Sequence, residues 1–213
     1  MTDLILSIDD YNPGNIELAK LIKSYGLESN TIFFIDLGVD RKKAMTGSVP
    51  PPPKAISDQI VELSRMGFEL GSHLLYHDND FKNKSKYEQE RQIKRSKDII
   101  KGLTGKECRY LAYCRGRSNK QIRQIVKDSG YISARNTTVL KTARGDDLFN
   151  MPTTFHLCPI RKEYEGRDLD RVFDEQLAKG KGYFHYWLHV FELDKYELWK
   201  TLEGHLQKIS KLV

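Results

Sequence analysis

Residues 4–12 read LILSIDDYN. Leu4–Ile8 has the length and composition of a buried strand, and it ends on two adjacent acids, Asp9 and Asp10. Neighbouring carboxylates repel each other, and on a regular strand their side chains would point to opposite faces. A strand end that turns can aim both inwards. The unit that this stretch begins then repeats. A helix is predicted over 15–25, a strand at TIFFI (31–35), a helix over 55–66 and a strand at FELGSH (68–73). Next come a long charged helix over 86–102 ended by Gly102, a strand at YLAY (110–113), a helix over 119–129 and a strand at GYISAR (130–135). A less regular stretch runs to about residue 166. A helix over 169–179, a strand at GYFHYWLH (182–189) and a closing amphipathic helix over 194–212 complete the chain. Within TGSVPPPPK, the four prolines at 50–53 fit neither a helix nor a central strand and mark an extended surface loop.

Strand followed by helix, repeated six or seven times, predicts a parallel sheet with helices outside, as a barrel or a doubly wound sheet. The 213 residues suffice for one sizeable core, so one domain over 1–213 is the simplest organisation. In either architecture the working residues sit at the carboxyl ends of strands. Polar residues do gather there: Ser72–His73 after the third strand, Arg115 and Arg117 after the fourth, Arg135 at the end of the fifth and His189 at the end of the last.

Composition narrows the function. A net charge of +6, with basic and acidic residues interleaved, reads as solvated helix faces. It would also favour an anionic partner such as an acidic glycan, a phospholipid head group or nucleic acid, but no zinc-finger spacing, heptad run or aromatic RNA-binding signature points to nucleic acid in particular. Cys108, Cys114 and Cys158 form no close pair, which fits a reducing compartment better than a disulfide framework. No apolar run has the length of a membrane span, and the first ten residues lack the pattern of an export signal, so the expected location is cytoplasmic. The chain does not indicate an oligomeric state.

In GSHLLYHDN, His73 and His77 stand four residues apart after a strand and a glycine. On a helical turn, that spacing lets two imidazoles converge on one ion. Two histidines and one carboxylate leave coordination positions open for water and substrate, as a catalytic metal site requires. Zinc is favoured by the nitrogen ligands, with cobalt, nickel and iron as alternatives.

These motifs, in this order, resemble the polysaccharide deacetylases of the NodB-homology kind, carbohydrate esterase family four. SIDDY stands where that family has Thr-Phe-Asp-Asp-Gly, and TIFF matches its Thr-Phe-Phe. HLLYH supplies the two histidines of its second motif. LAYCRGRSN is similar to its third motif, and Leu188–His189 to its fifth. The resemblance implies a distorted parallel (β/α) barrel of about seven strands and a metal-dependent hydrolase that removes acetyl from an N-acetylated amino sugar. It implies that Asp10, His73 and His77 bind the metal and that Asp9 is the base taking a proton from metal-bound water. His189 would protonate the departing amine, and the backbone N–H of Arg115 would help hold the oxyanion. Tyr113 would stand beside Arg115 at the substrate.

Three features depart from the family pattern. Tyr11 replaces a glycine, Ala112 stands where many members carry the arginine that pairs with the base, and no fourth motif is recognisable in GYISARNTTVL. Arg135 is expected to take over the pairing with Asp9.

Each residue also has a plainer reading. Asp9 and Asp10 could cap a helix, although Asn12 and Asn15 are placed to serve there. His189 could be a buried structural histidine, and His185 lies on the same strand face, nearer the bottom or interior of the barrel. His156 and His205 read as surface or helix-face residues. Trp187 and Tyr186 could stack on a sugar, but aromatic residues in a buried strand are more commonly core. Arg115 and Arg117 could recognise phosphate or carboxylate or be solvated turn residues. Cys114 reads as a small loop residue. Two other functions remain open: an amidase of small non-sugar substrates, and a non-catalytic glycan-binding relative.

Overall fold

The computed structural model describes residues 3–45, 49–180 and 182–213. Thr46–Ser48, part of the proline-bearing loop, lie outside the described residues. Seven parallel strands form one sheet in the order β5-β4-β3-β2-β1-β7-β6. Their ranges are β1 Asp3–Asp9, β2 Thr31–Ile35, β3 Glu69–Ser72, β4 Tyr110–Ala112, β5 Ser133–Arg135, β6 Phe155–His156 and β7 Tyr183–His189. The two longest strands, β1 and β7, are neighbours, paired along their length from Asp3–Tyr183 to Asp9–His189. The sheet curls round on itself. The segment leading into β6 bridges β5 at Met151 and reaches β7 through Thr154, whose N–H donates to the His185 carbonyl, so it ties the two edges together. The expected distorted (β/α) barrel is the observed fold.

The helices are α1 Asn15–Ser24, α2 Arg41–Met45, α3 Lys54–Arg65, α4 Lys86–Thr104, α5 Lys120–Asp128, α6 Leu169–Lys179, α7 Val190–Lys195 and α8 Trp199–Ile209. Their apolar stripes cover the outside of the sheet: Leu18, Ala19 and Ile22 of α1, Ile56, Ile60 and Leu63 of α3, and Ile122, Ile125 and Val126 of α5 are buried. Inside the barrel the layer nearest the site is polar, with Ser7 hydrogen bonded to His185 at 2.8 Å and both residues buried.

Some boundaries differ from the sequence expectation. Helix α4 runs through Gly102 and stops at Gly105, whose φ of +69° forms the left-handed cap that glycine adopts without a Cβ penalty. The closing helix is two helices, because the chain breaks between α7 and α8 at Glu197, φ +54°. Neither Asn12 nor Asn15 caps α1 as expected. Gly14 is the N-cap residue, Asn12 Oδ1 accepts from its N–H, and buried Asn15 donates to the Asp10 carbonyl and to Gln59. These bonds pin the turn after β1 to the first helix.

Strand β3 approaches β2 closely because residue 71 is glycine. A Cβ there would lie 2.4 Å from the Phe34 ring, which is buried and cannot swing away. Gly71→Ala is expected to cost about 1–3 kcal/mol through overpacking, read as a lower denaturant midpoint. An unchanged midpoint would show that the β2–β3 spacing is not fixed by this contact.

Candidate active site

The turn at the end of β1 explains the paired acids. Asp9 is the last strand residue, buried and directed into the barrel. Asp10 then takes a left-handed conformation, φ +69°, which aspartate tolerates better than most residues. The reversal swings the second carboxylate to the same end of the barrel as the first. Asp10 Oδ1 lies 3.5 Å from His73 Nε2, and Oδ2 lies 3.8 Å from His189 Nε2. The Tyr11 N–H donates to Asp36 at 3.1 Å, holding the turn from its far side.

Asp9 is paired with Arg135 at the end of β5, across the barrel interior, and both side chains are almost wholly buried. Burial pushes the Asp9 carboxyl upward, but the charges of Arg135, His73 and His189 together hold it below the usual carboxylate range. Arg135 is held in turn by a bond to the Asn136 carbonyl at 3.2 Å and by the faces of Phe34 and Trp187, 5.2 and 4.8 Å from its guanidinium carbon. The expected Arg135–Asp9 pairing is present in the geometry.

His73 leaves β3 with Nδ1 fixed on the Ala112 carbonyl at 2.8 Å, which frees Nε2 to face Asp10. A backbone partner on one ring nitrogen is the usual way to orient an imidazole ligand. The His73 and His77 rings lie 5.3 Å apart, and their ring nitrogens and Cys114 Sγ all fall within 4.8 Å of one another. Cys114, read from sequence as a loop residue, is thus buried against both imidazoles. Burial lowers the proton affinity of His73, but Cys114, Asp9 and Asp10 outweigh that effect and raise it. His77 is shifted down by burial and by His73. Asp10 Oδ1 is buried without a hydrogen-bond partner. A carboxylate oxygen without a hydrogen bond 3.5 Å from His73 Nε2, with the His77 ring against His73, fits a divalent cation, although Asp10 does not belong to the His73–His77–Cys114 cluster itself.

At the end of β7, His189 Nδ1 is 2.8 Å from Glu192, and the same carboxylate oxygen lies 2.9 Å from His156 Nε2. Burial alone would lower the His189 pKa, but its bond to Glu192 and the nearby Asp9 raise it. His156 is buried rather than at the surface, and desolvation pushes it down to about 4 despite Glu192. Glu192 itself is held well below the usual carboxylate range, because its bonds to both histidines outweigh burial. Sequence reading missed Glu192. Its signal was spacing: in HVFE it lies three residues after His189, which is the N-cap residue of α7, so both face the same turn. His205 lies on a helix face as expected, but buried, between Tyr186 and Asp170.

Two expected substrate residues sit differently. The Tyr113 side chain is 1% exposed and donates to the Phe149 carbonyl at 2.8 Å, so it packs in the core and does not reach the site through its hydroxyl. Trp187 is 3% exposed, with its ring stacked 3.5 Å from His156. It supports the site as a wall and offers no open face to a sugar. Arg115 has a left-handed backbone, φ +54°, in the turn after β4. His185 is buried lower in the interior, bonded to Ser7 and Tyr183, and its pKa is lowered by burial and by Arg135.

One concavity of about 350 Å³ at the carboxyl end of the strands is lined by Asp9, His73, His77, His189, Trp187 and Thr137, with Arg115, Arg117 and Arg161 around it. A larger cavity of about 500 Å³ opens at the opposite end of the barrel, where Glu69 and Arg109 are already paired with each other. Of these two, only the smaller is lined by histidines.

No helix among the described residues is long and apolar enough to cross a membrane. No curated protein matches the chain in sequence. Among solved structures, the chain is similar to the Xyl-CE4 domain of a multidomain xylanase from the hindgut metagenome of Trinervitermes trinervoides. That match has 15% identity, covers 98% of this chain and 82% of that one, and has a TM-score of 0.65. A family 4 carbohydrate esterase from Streptomyces lividans, in complex with acetate, matches at 12% identity over 98% of this chain and 86% of that one, TM-score 0.61. A CE4-family pseudoenzyme from Bacillus anthracis matches at 13% identity over 99% of this chain, TM-score 0.61, and the chain spans 61% of its length. At these identities the likeness is one of fold. The description of the polysaccharide deacetylase family matches residues 3–134, more than half of the sequence, and the chain belongs to that family.

Proposed function

We propose that this protein is a metal-dependent N-deacetylase of an amino sugar in a glycan or glycan precursor. The observation that carries the reading is the convergence of Asp9, His73, His77 and His189 on one concavity, with a buried Asp10 oxygen that has no hydrogen-bond partner 3.5 Å from His73 Nε2. Asp10, His73 and His77 would hold the cation, zinc by preference for the nitrogen donors. When bound, such an ion polarises the amide carbonyl and acidifies water. Asp9, kept ionised by Arg135, takes the proton of the attacking water. His189, its Nδ1 N–H donating to Glu192, delivers the proton on Nε2 to the amine nitrogen as the carbon–nitrogen bond breaks. The backbone N–H of Arg115 is the proposed oxyanion donor. A xylan- or peptidoglycan-sized substrate is not required, since the concavity accommodates about one sugar unit.

Zinc-dependent release of acetate from N-acetylated sugars tests the reading. Asp9→Asn is expected to lower kcat at least about a hundredfold while zinc content stays near one ion per chain. Asp10→Asn or His73→Ala should lose the ion itself, as measured by metal analysis. A protein that binds glycan without zinc, and equally well as Asp9→Asn, would instead be a non-catalytic glycan-binding relative.

The Glu192–His189 bond has a pH signature. His189 must be protonated to act as the acid, and Glu192 raises its pKa. Glu192→Gln should therefore move the alkaline limb of the pH–rate profile to lower pH. An unmoved limb would take His189 out of the acid role.

Removing Arg135 leaves Asp9 buried without its partner. Arg135→Ala is expected to lower stability by about 3–5 kcal/mol at neutral pH and to abolish turnover. In the native protein the depressed Asp9 pKa contributes stability above the ordinary carboxylate range that is lost as pH falls. In the variant, burial instead favours the neutral acid. The stability gap should therefore narrow on acidification, and Asp9→Asn should close much of it at neutral pH. Near wild-type turnover in Arg135→Ala would remove Arg135 from the mechanism.

A further inference from the structure

Arg115, Arg117 and Arg161 stand around the concavity that holds the catalytic groups, and none of them takes part in the proposed proton transfers through its side chain. They come from two separate loops, after β4 and after β6. Arg115 and Arg117 are exposed, yet both are anchored by one residue of the loop after β3. Arg115 Nε donates to Asn79 Oδ1 at 2.6 Å and Arg117 Nη1 to the Asn79 carbonyl at 3.3 Å. Among the described residues no carboxylate forms an ion pair with either guanidinium. Arg161 is half-buried. Its Nη2 donates to the Thr137 carbonyl at 3.0 Å and to Glu163 at 2.9 Å, and its guanidinium carbon lies 6.0 Å from the centre of the Trp187 ring. Glu163 thus offsets one of the three cations and leaves two without a counter-charge. The one acid on the lining, Asp9, is already paired with Arg135.

Two held guanidinium groups with open donors beside a site for one sugar match the chemistry of a phosphoryl or carboxylate group. We infer that the site takes an anionic amino sugar, its phosphoryl or carboxylate group held among Arg115, Arg117 and Arg161, while the N-acetyl group reaches Asp9 and His189. The inference rests on the deacetylase reading for the sugar and on the arginines for the anion.

Binding of four probes to the full chain tests it: N-acetylglucosamine, its 1-phosphate, its 6-phosphate and N-acetylmuramic acid. Calorimetry is run at low and high salt, once with zinc supplied and once with a chelator. At least one anionic sugar should bind about tenfold or more tightly than the neutral one at low salt, and the phosphate and carboxylate arms identify which group is read. That ratio should shrink at high salt and survive chelation. Arg117→Gln and Arg161→Gln should each lower it about fivefold or more, with thermal melting checking that each variant is folded. Equal binding of all four sugars overturns the inference. So does an advantage that disappears with zinc, since the anion would then sit on the metal, or a ratio that both variants leave unchanged. Failure to release acetate from any N-acetyl sugar would sink the deacetylase reading alone, because the binding ratio is measured without turnover.

Discussion

The ion pair between Asp9 and Arg135 spans the barrel interior, and the site is arranged around it. A carboxylate in that position is tolerated only because a guanidinium meets it, and the guanidinium is tolerated because Phe34 and Trp187 flank it with their ring faces. The pair links β1 with β5, strands separated by three others in the sheet. It therefore fixes the curl of the barrel as well as the charge of the proposed base. Trp187 extends the arrangement sideways by stacking on His156, whose Nε2 shares Glu192 with His189. Base and acid are in this way joined through one continuous buried set of side chains.

Much of this was legible in the sequence because it depends on local pattern. Alternating apolar runs and amphipathic segments located all seven strands except β6, which has two residues and lies in the stretch with no clear periodicity. Strand ends predicted where polar groups would meet, and Asp9, Asp10, His73, His77 and His189 do meet. Arg135 was reachable by asking what replaces the absent arginine at position 112. What the sequence hid is set by side-chain direction across long separations. Tyr113 is adjacent to functional positions, but its hydroxyl turns to Phe149, and His156 looks like any loop histidine until Glu192 and Trp187 are placed against it. The helix ends were misjudged for local reasons: Gly102 is absorbed within α4, and the left-handed cap falls three residues later.

Cys114 is a second case in which neighbours redefine a residue. In sequence it reads as a small loop residue. In the fold its sulfur lies within reach of both imidazoles of the proposed metal site and 3.6 Å from the His73 carbonyl. A soft donor beside two nitrogens shifts the preference of such a cluster away from hard oxygen-seeking cations such as magnesium.

The left-handed turn at Asp10 joins two properties in one residue. Its backbone conformation is open mainly to glycine, asparagine and aspartate, while its carboxylate is the oxygen facing His73. Most replacements would disturb both the chain reversal and the charge. Asparagine or glycine would keep the reversal and remove the negative charge. Under the proposed reading, a single-nucleotide exchange at that codon would therefore leave a well-folded descendant without the charge that faces His73.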